Sequence, residues 1–177
     1  LMEKARAEGI DITADQYPYT FSNPDRTTEL FKWEAYLGED GRGLRRPERM
    51  ALIKDRMTND PVFSAQVEKD VYHEILARGG SDRMWVTEFE ANAAYVGKNL
   101  EELATLRQES LFEAGKYLQL ENAARILSYT MIEDDLEHYL TRDYIAPATD
   151  GGVGARTHPR AFGTFPRVLR RYVFDKQ

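Results

Sequence analysis

The chain has 177 residues, of which 42% are hydrophobic and 31% charged, with a formal net charge of −6. That composition belongs to a globular protein with a real core, and its acidity gives no general attraction to nucleic acid or to an anionic membrane. There is no cysteine, which excludes disulfides, thiolate metal ligands and a redox pair.

The opening LMEKARAEG reads as the last turns of a helix, with charges among apolar residues and Gly9 placed for a left-handed C-cap. A chain that opens partway along a helix, on Leu1 rather than a methionine, is expected to be a fragment. Ile10, Ile12 and Ala14 then alternate with Asp11, Thr13 and Asp15, the period of a strand, which Pro18 ends. Residues 20–43 read as a long excursion with one helical turn around Leu30 to Leu37. RPERMALIKDRM and VFSAQVEKDVYHEILARGG carry helical spacing, the second through Val67, Val71 and Ile75 with a stop at Gly79-Gly80. RMWVTEF reads as a short strand. Three helices are expected after it, because Asn99 with Glu102, Ser110 with Glu113 and Thr130 with Glu133 each set a small capping side chain three residues before a glutamate. YIAPAT reads as a short buried strand closed by Asp150, and TFPRVLRRYVF as a helix capped by Thr164 with Pro166 in its first turn. No apolar run approaches the ~20 residues of a membrane span. No signal peptide is visible, so the cytoplasm is the default location.

The order helix, strand, long helical insertion, strand, loop, helix fits two adjacent strands of a parallel α/β sheet. In such sheets functional side chains gather at the carboxyl ends of strands, where DQYPY and ATDGG both fall. Each candidate residue still has two readings. Asp150 is a turn residue before glycine, or a carboxylate serving a metal-held water or a substrate. Arg160 is a surface charge or structural ion pair, or a fork of donors that clamps a carboxylate. Tyr17 and Tyr19 pack at a rim with solvated hydroxyls, or one of them donates to a bound anion. His158 reads as a loop-bracing histidine, and His73 and His138 as solvated on charged helices. Arg42, Arg45, Arg46 and Arg49 interleave with Glu39, Asp40 and Glu48 and read as a solvated face. Three scattered histidines and no cysteine do not make the three-ligand set of a catalytic zinc, so any other ligands of a metal at Asp150 lie outside this chain.

Three stretches, ARAEGIDITADQYPYT, GKNLEELA and ATDGG leading to THPRAFGTFPRVLRRYV, together resemble the D-aminoacylase (N-acyl-D-amino-acid deacylase) family of the amidohydrolase superfamily. The resemblance is weakest from about Asn23 to Arg83. It implies an α/β chain that is the C-terminal portion of a metal-dependent (β/α)8 barrel, with a helical lid inserted between the last two strands. Residues 1–22 would hold a barrel helix and strand seven, 23–142 the lid and connecting helices, and 143–177 strand eight, the active-site loop and the helix after it. Such a barrel needs roughly 250 residues, so the implied partner is the missing N-terminal part of the same barrel, with the remaining zinc ligands.

The implied activity is zinc-dependent hydrolysis of the amide bond of N-acyl-D-amino acids, a small-molecule reaction. By the resemblance Asp150 faces the zinc and is the general base, Arg160 binds the substrate α-carboxylate, and Tyr17 or Tyr19 is a second donor to it. The isolated fragment is expected to be inactive and prone to associate through open strand edges. Phe21 and Asn23 to Arg26 depart from the small residues usual in the family after YPYT, and Arg26 would then be the residue to face an acidic substrate side chain. Two rivals stand beside this reading: a non-catalytic half-barrel interaction module, and another amidohydrolase acting on cyclic amides.

Overall fold

Residues 1–22, 30–152 and 158–175 are described by the computed structural model. They fall into two units, one built from Leu1–Thr20 with Met131–Gln177 and the other from Phe21–Thr130. The chain thus leaves the first unit, builds the second, and returns.

In the first unit α1 (Met2–Ala7) ends as its sequence requires. Gly9 takes φ +86°, and the Ile10 N–H reaches back to the Ala5 carbonyl at 3.0 Å, a left-handed cap that costs glycine nothing. Strand β1 (Ala14–Gln16) pairs in parallel with β4 (Ile145–Pro147), Ala14 opposite Ile145 and Gln16 opposite Pro147. The ladder continues one step through the Ala148 N–H, which donates to the Gln16 carbonyl, while Pro147 occupies a position whose N–H would point away from β1.

Three expectations need correction in this unit. The first strand is confined to Ala14–Gln16, and Ile10 is 54% exposed: the alternating pattern has no partner strand to pair with before Ala14. The last strand was expected to be buried, but Ala146 and Pro147 are exposed, since β1 is its only neighbour among the described residues. Thr130 does not cap α7 (Glu133–Leu140). Ile132 holds that position without a side-chain bond, and Glu133, Asp134 and Asp135 in the first turn favour the helix through its dipole instead.

The final helix also starts earlier than its sequence suggests. Helix α8 spans Arg160–Arg167, with Pro159 at its N-cap. Thr164, fully buried, donates its hydroxyl to the Arg160 carbonyl at 2.7 Å instead of capping anything. Pro166 therefore lies inside the helix, where it withholds an N–H. Beyond it the coil widens into a π-helix over Val168–Phe174, as where the Asp175 N–H bonds the Arg170 carbonyl.

The second unit has the fuller interior. After a short α2 (Trp33–Leu37), α3 (Arg46–Asn59) starts with Pro47 in its first turn and with the Glu48 carboxylate reaching back to accept from the Arg45 N–H at 2.7 Å. Asp60 then ends α3 and caps α4 (Pro61–Ala77), its carboxylate accepting from the Phe63 N–H at 3.0 Å. Strand β2 (Met84–Glu88) pairs antiparallel with β3 (Arg125–Ser128), a strand the sequence pattern did not disclose. Between them lie α5 (Leu100–Arg107) and α6 (Leu111–Gly115), the latter extended as a π-helix over Lys116–Glu121. The caps expected at Asn99 and Ser110 are present, accepting from Glu102 N–H at 2.8 Å and Glu113 N–H at 3.1 Å. Phe31, Ile53, Val67, Val71, Met84, Leu103 and Ile126 fill the core. A buried Gln119 amide oxygen takes the Leu30 N–H at 2.6 Å, so the core's polar intruder is satisfied.

Among the described residues the four strands form two separate pairs, and no closed barrel is present. No described helix is long and apolar enough to cross a membrane.

Candidate functional site

All four residues singled out in the sequence lie in the first unit. Asp150 follows β4 with φ +42°, a left-handed conformation that aspartate tolerates better than most residues. Gly151 then passes so close to α8 that a Cβ on it would sit 2.6 Å from the Ala161 Cα. That approach needs glycine, and it sets the Asp150 carboxylate beside the start of the helix. There Oδ2 meets Arg160 Nη1 at 2.9 Å, with the aspartate side chain 69% exposed and the arginine side chain 9%.

Arg160 is held from several directions. Its backbone N–H donates to His158 Nδ1 at 3.0 Å, which fixes that ring nitrogen as the acceptor. Its guanidinium lies over the Tyr17 ring, 4.5 Å from the centroid. Its Nε is buried and has no hydrogen-bond partner among the described residues. A buried guanidinium with one donor unspent is costly unless something comes to use it. Removing Asp150 would leave that charge uncompensated, a larger loss than a surface pair implies.

Burial pushes the Tyr17 phenol above its usual range, and the Arg160 charge offsets this only in part, so Tyr17 stays protonated and able to donate. Tyr19 stands one layer back. Its hydroxyl is 3.5 Å from the Pro159 carbonyl and its ring meets His158 edge-on at 5.4 Å. Arg167 braces the turn from below, donating from Nε to the Pro18 carbonyl at 2.6 Å. Gly163 has no room for a side chain, because a Cβ there would collide with the Tyr19 hydroxyl.

The fold thus brings Asp150, Arg160 and Tyr17 into one contact group and puts Tyr19 behind it through His158. The sequence reading gave too little weight to His158 and Arg167, the two residues that orient this group. The one available signal was their place in HPR and FPR, each flanked by proline. Asn23 to Arg26, read as the place where a substrate side chain is met, lies outside the described residues.

A metal does not fit the described residues on their own. Among them no three His, Cys, Asp or Glu side chains converge. His138 is engaged with the Arg142 guanidinium at 2.9 Å, and Asp150 is a single carboxylate already paired with Arg160.

The fold of this chain matches part of several solved D-aminoacylase structures. A solved D-aminoacylase structure, described as defining a novel subset of amidohydrolases, matches 98% of this chain at 23% identity and TM-score 0.54. N-acyl-D-glutamate deacylase from Bordetella bronchiseptica, solved with zinc and a phosphonate mimic of the reaction's tetrahedral intermediate, matches 97% at 21% identity and TM-score 0.53. A D-aminoacylase variant in complex with copper chloride matches at 22% identity and TM-score 0.51. The chain spans only 26% of the first two proteins and 25% of the third. At these identities the likeness is one of fold. No protein-family profile and no curated protein sequence matches the chain.

Proposed function

We propose that this chain is the C-terminal part of a metal-dependent amidohydrolase that cleaves the amide bond of N-acyl-D-amino acids. The observation that carries the reading is the contact group itself: a strand-end carboxylate, a buried arginine with an unspent donor and a protonated tyrosine, in a fold shared with D-aminoacylases. In this reading residues 1–22 and 143–177 supply the seventh and eighth barrel strands with their flanking helices. Residues 23–142 supply the lid and connecting helices. Zinc would be held by ligands outside the described residues, with Asp150 as this chain's one contribution.

The roles follow from the chemistry of each group. Arg160 offers a planar fork to the substrate carboxylate, and Tyr17 adds a neutral donor beside it, with Tyr19 as the alternative. Asp150, an exposed carboxylate, takes a proton from the attacking water and returns it to the departing amine. A carboxylate arriving at Arg160 competes with Asp150 for the same guanidinium. Substrate binding would therefore loosen the carboxylate at the moment it is needed as a base.

The test uses the complete protein that carries this chain, assayed on N-acetyl-D-amino acids against their L-isomers. Asp150→Asn should lower kcat by about 10²–10⁴-fold, the usual worth of a positioned base, while bound zinc falls little. Near-normal turnover in that variant removes Asp150 from the chemistry. Arg160→Met should mainly raise KM for substrates with a free carboxylate. An equal effect on amide-capped substrates would remove the clamp.

A further inference from the structure

The first turn of an α-helix leaves its leading N–H groups without partners inside the helix, and at the start of α8 each of them is met. The Ala161 N–H donates to the His158 carbonyl at 3.1 Å, and those of Phe162 and Gly163 donate to the Pro159 carbonyl at 3.2 and 2.8 Å. The Arg160 N–H ends instead on a side chain, His158 Nδ1, at 3.0 Å. A carbonyl keeps its lone pairs at every pH. An imidazole nitrogen gives up its acceptor role when the ring takes a second proton. The sequence reads His158 as a loop brace, and this bond makes the brace conditional.

The groups around the ring decide what that proton would do. His158 is buried, and its ring meets Tyr17 at 6.1 Å and Tyr19 at 5.4 Å, edge-on in both cases. The charges beyond those two rings are guanidiniums: Arg160 lies over Tyr17 at 4.5 Å and Arg167 over Tyr19 at 5.0 Å. The Asp150 carboxylate stands behind Arg160, paired with it. These are the titratable and charged groups that face His158 among the described residues. A proton on Nδ1 would point at an N–H donor, at the positive end of a helix. The bond would become a clash of two donors, and the residue displaced by it is Arg160.

Resting on the reading of Arg160 as the clamp for the substrate carboxylate, we propose that His158 is a positioning residue that places this clamp under the control of pH. The neutral ring, with its hydrogen on Nε2, holds Arg160 in place, and the imidazolium releases it. The effect falls on affinity and leaves the chemical step alone. An imidazolium that touched the anion itself would do the reverse and tighten binding as pH falls, so the sign of the effect separates the two.

The complete protein that carries this chain is assayed on N-acetyl-D-amino acids from about pH 8 down to about pH 5.5, across the range in which imidazole changes charge. KM should rise by about threefold to tenfold on the acid side, the usual contribution of one backbone hydrogen bond. His158→Asn supplies an amide oxygen that accepts from the N–H two residues on, as in an Asx-turn, and its KM should stay low throughout. In both proteins kcat should follow one common profile. His158→Phe keeps the ring and removes the acceptor, so its KM should be raised at every pH with kcat little changed. Should His158→Phe not fold, the flat KM of His158→Asn decides. A KM that falls with pH, or an acid rise that persists in His158→Asn, overturns the proposal.

Nitrogen NMR of the histidine rings in the same protein gives a reading that does not need turnover, with His158 identified by the signal missing from His158→Asn. Its Nδ1 should be unprotonated at the alkaline end, and the Arg160 amide resonance should move as that nitrogen takes a proton. A hydrogen on Nδ1 at the alkaline end overturns the proposal whatever the activity. Absence of turnover at every pH overturns the hydrolase reading instead, and the ring and amide spectra then decide the positioning role.

Discussion

The two units of this chain solve the burial problem in opposite ways. The Phe21–Thr130 unit packs α3, α4, α5 and α6 with β2 and β3 around a continuous apolar core. In the other unit the described apolar residues that become buried are Tyr19 and Leu136, while His158, Arg160 and Thr164 are buried beside them. Phe162, Phe165 and Leu169, spaced three and four apart along α8 and its continuation, face solvent, Phe162 with 70% of its surface exposed. One unit is held by the hydrophobic effect. The other leans on directed bonds such as Arg167 to Pro18, Arg6 to the Ile12 carbonyl at 2.8 Å and Arg171 to Glu133 at 2.8 Å. The lesson is that a complete core and a candidate site need not share a unit. The apolar stripe on α8 is the kind of surface another element covers, and in the proposed function that element is the rest of the barrel.

The widest gap between the units should appear in core truncation. Leu103→Ala should cost about 2–5 kcal/mol in urea unfolding of the isolated chain, whereas Phe165→Ala should stay within about 0.5 kcal/mol. Comparable losses would mean that the α8 stripe is covered within this chain, and the contrast would fail. Gly163→Ala tests the other side. Helix propensity alone would favour alanine by about 1 kcal/mol, but the Tyr19 hydroxyl blocks the Cβ. A net loss of about 1–3 kcal/mol is therefore expected, and Tyr19→Phe should recover most of it. A stabilising Gly163→Ala would show that the Tyr19 layer yields.

The smallest effect is one of pH. Burial and the neighbouring Glu133 carboxylate push the Tyr172 phenol up to about 12. A pKa raised in the folded state means that the unfolded chain releases its proton first. The contribution is therefore whole below the usual tyrosine value near 10 and drains away as pH rises towards 12. Thermal unfolding across that window should show a slope that Tyr172→Phe flattens. A slope unchanged by the substitution would assign it to another group, such as Tyr36 of the core unit, which burial also raises.

What the sequence disclosed was mostly local. The caps at Asn99 and Ser110 and the turn at Gly9 depend on side chains within a few residues of one another, and each formed as read. Features that need a distant partner were harder to read. The pattern from Ile10 to Asp15 promised a strand, but only Ala14–Gln16 finds β4. Strand β3 is four residues long, and its inward face shows only as Ile126 and Ser128. Thr164 looked like a cap because its hydroxyl has two uses, and the fold chose the carbonyl one turn back. At the site the residue types and their proximity were legible, and the pairing of Asp150 with Arg160 was not. It depends on how closely Gly151 passes Ala161.

The place where the chain enters and leaves its core unit has a consequence for engineering and for descent. The Met131 N–H donates to the Thr20 carbonyl at 3.1 Å, and the Ser22 N–H to the Ser128 carbonyl at 2.9 Å. The outgoing and returning segments therefore run side by side like the two wires of a plug. A segment whose ends already touch can be exchanged for another of different length and shape at little closure entropy. The strand pair that carries Asp150 is thus a socket. What is plugged into it can diverge, shrink or acquire a ligand of its own while the carboxylate keeps its place.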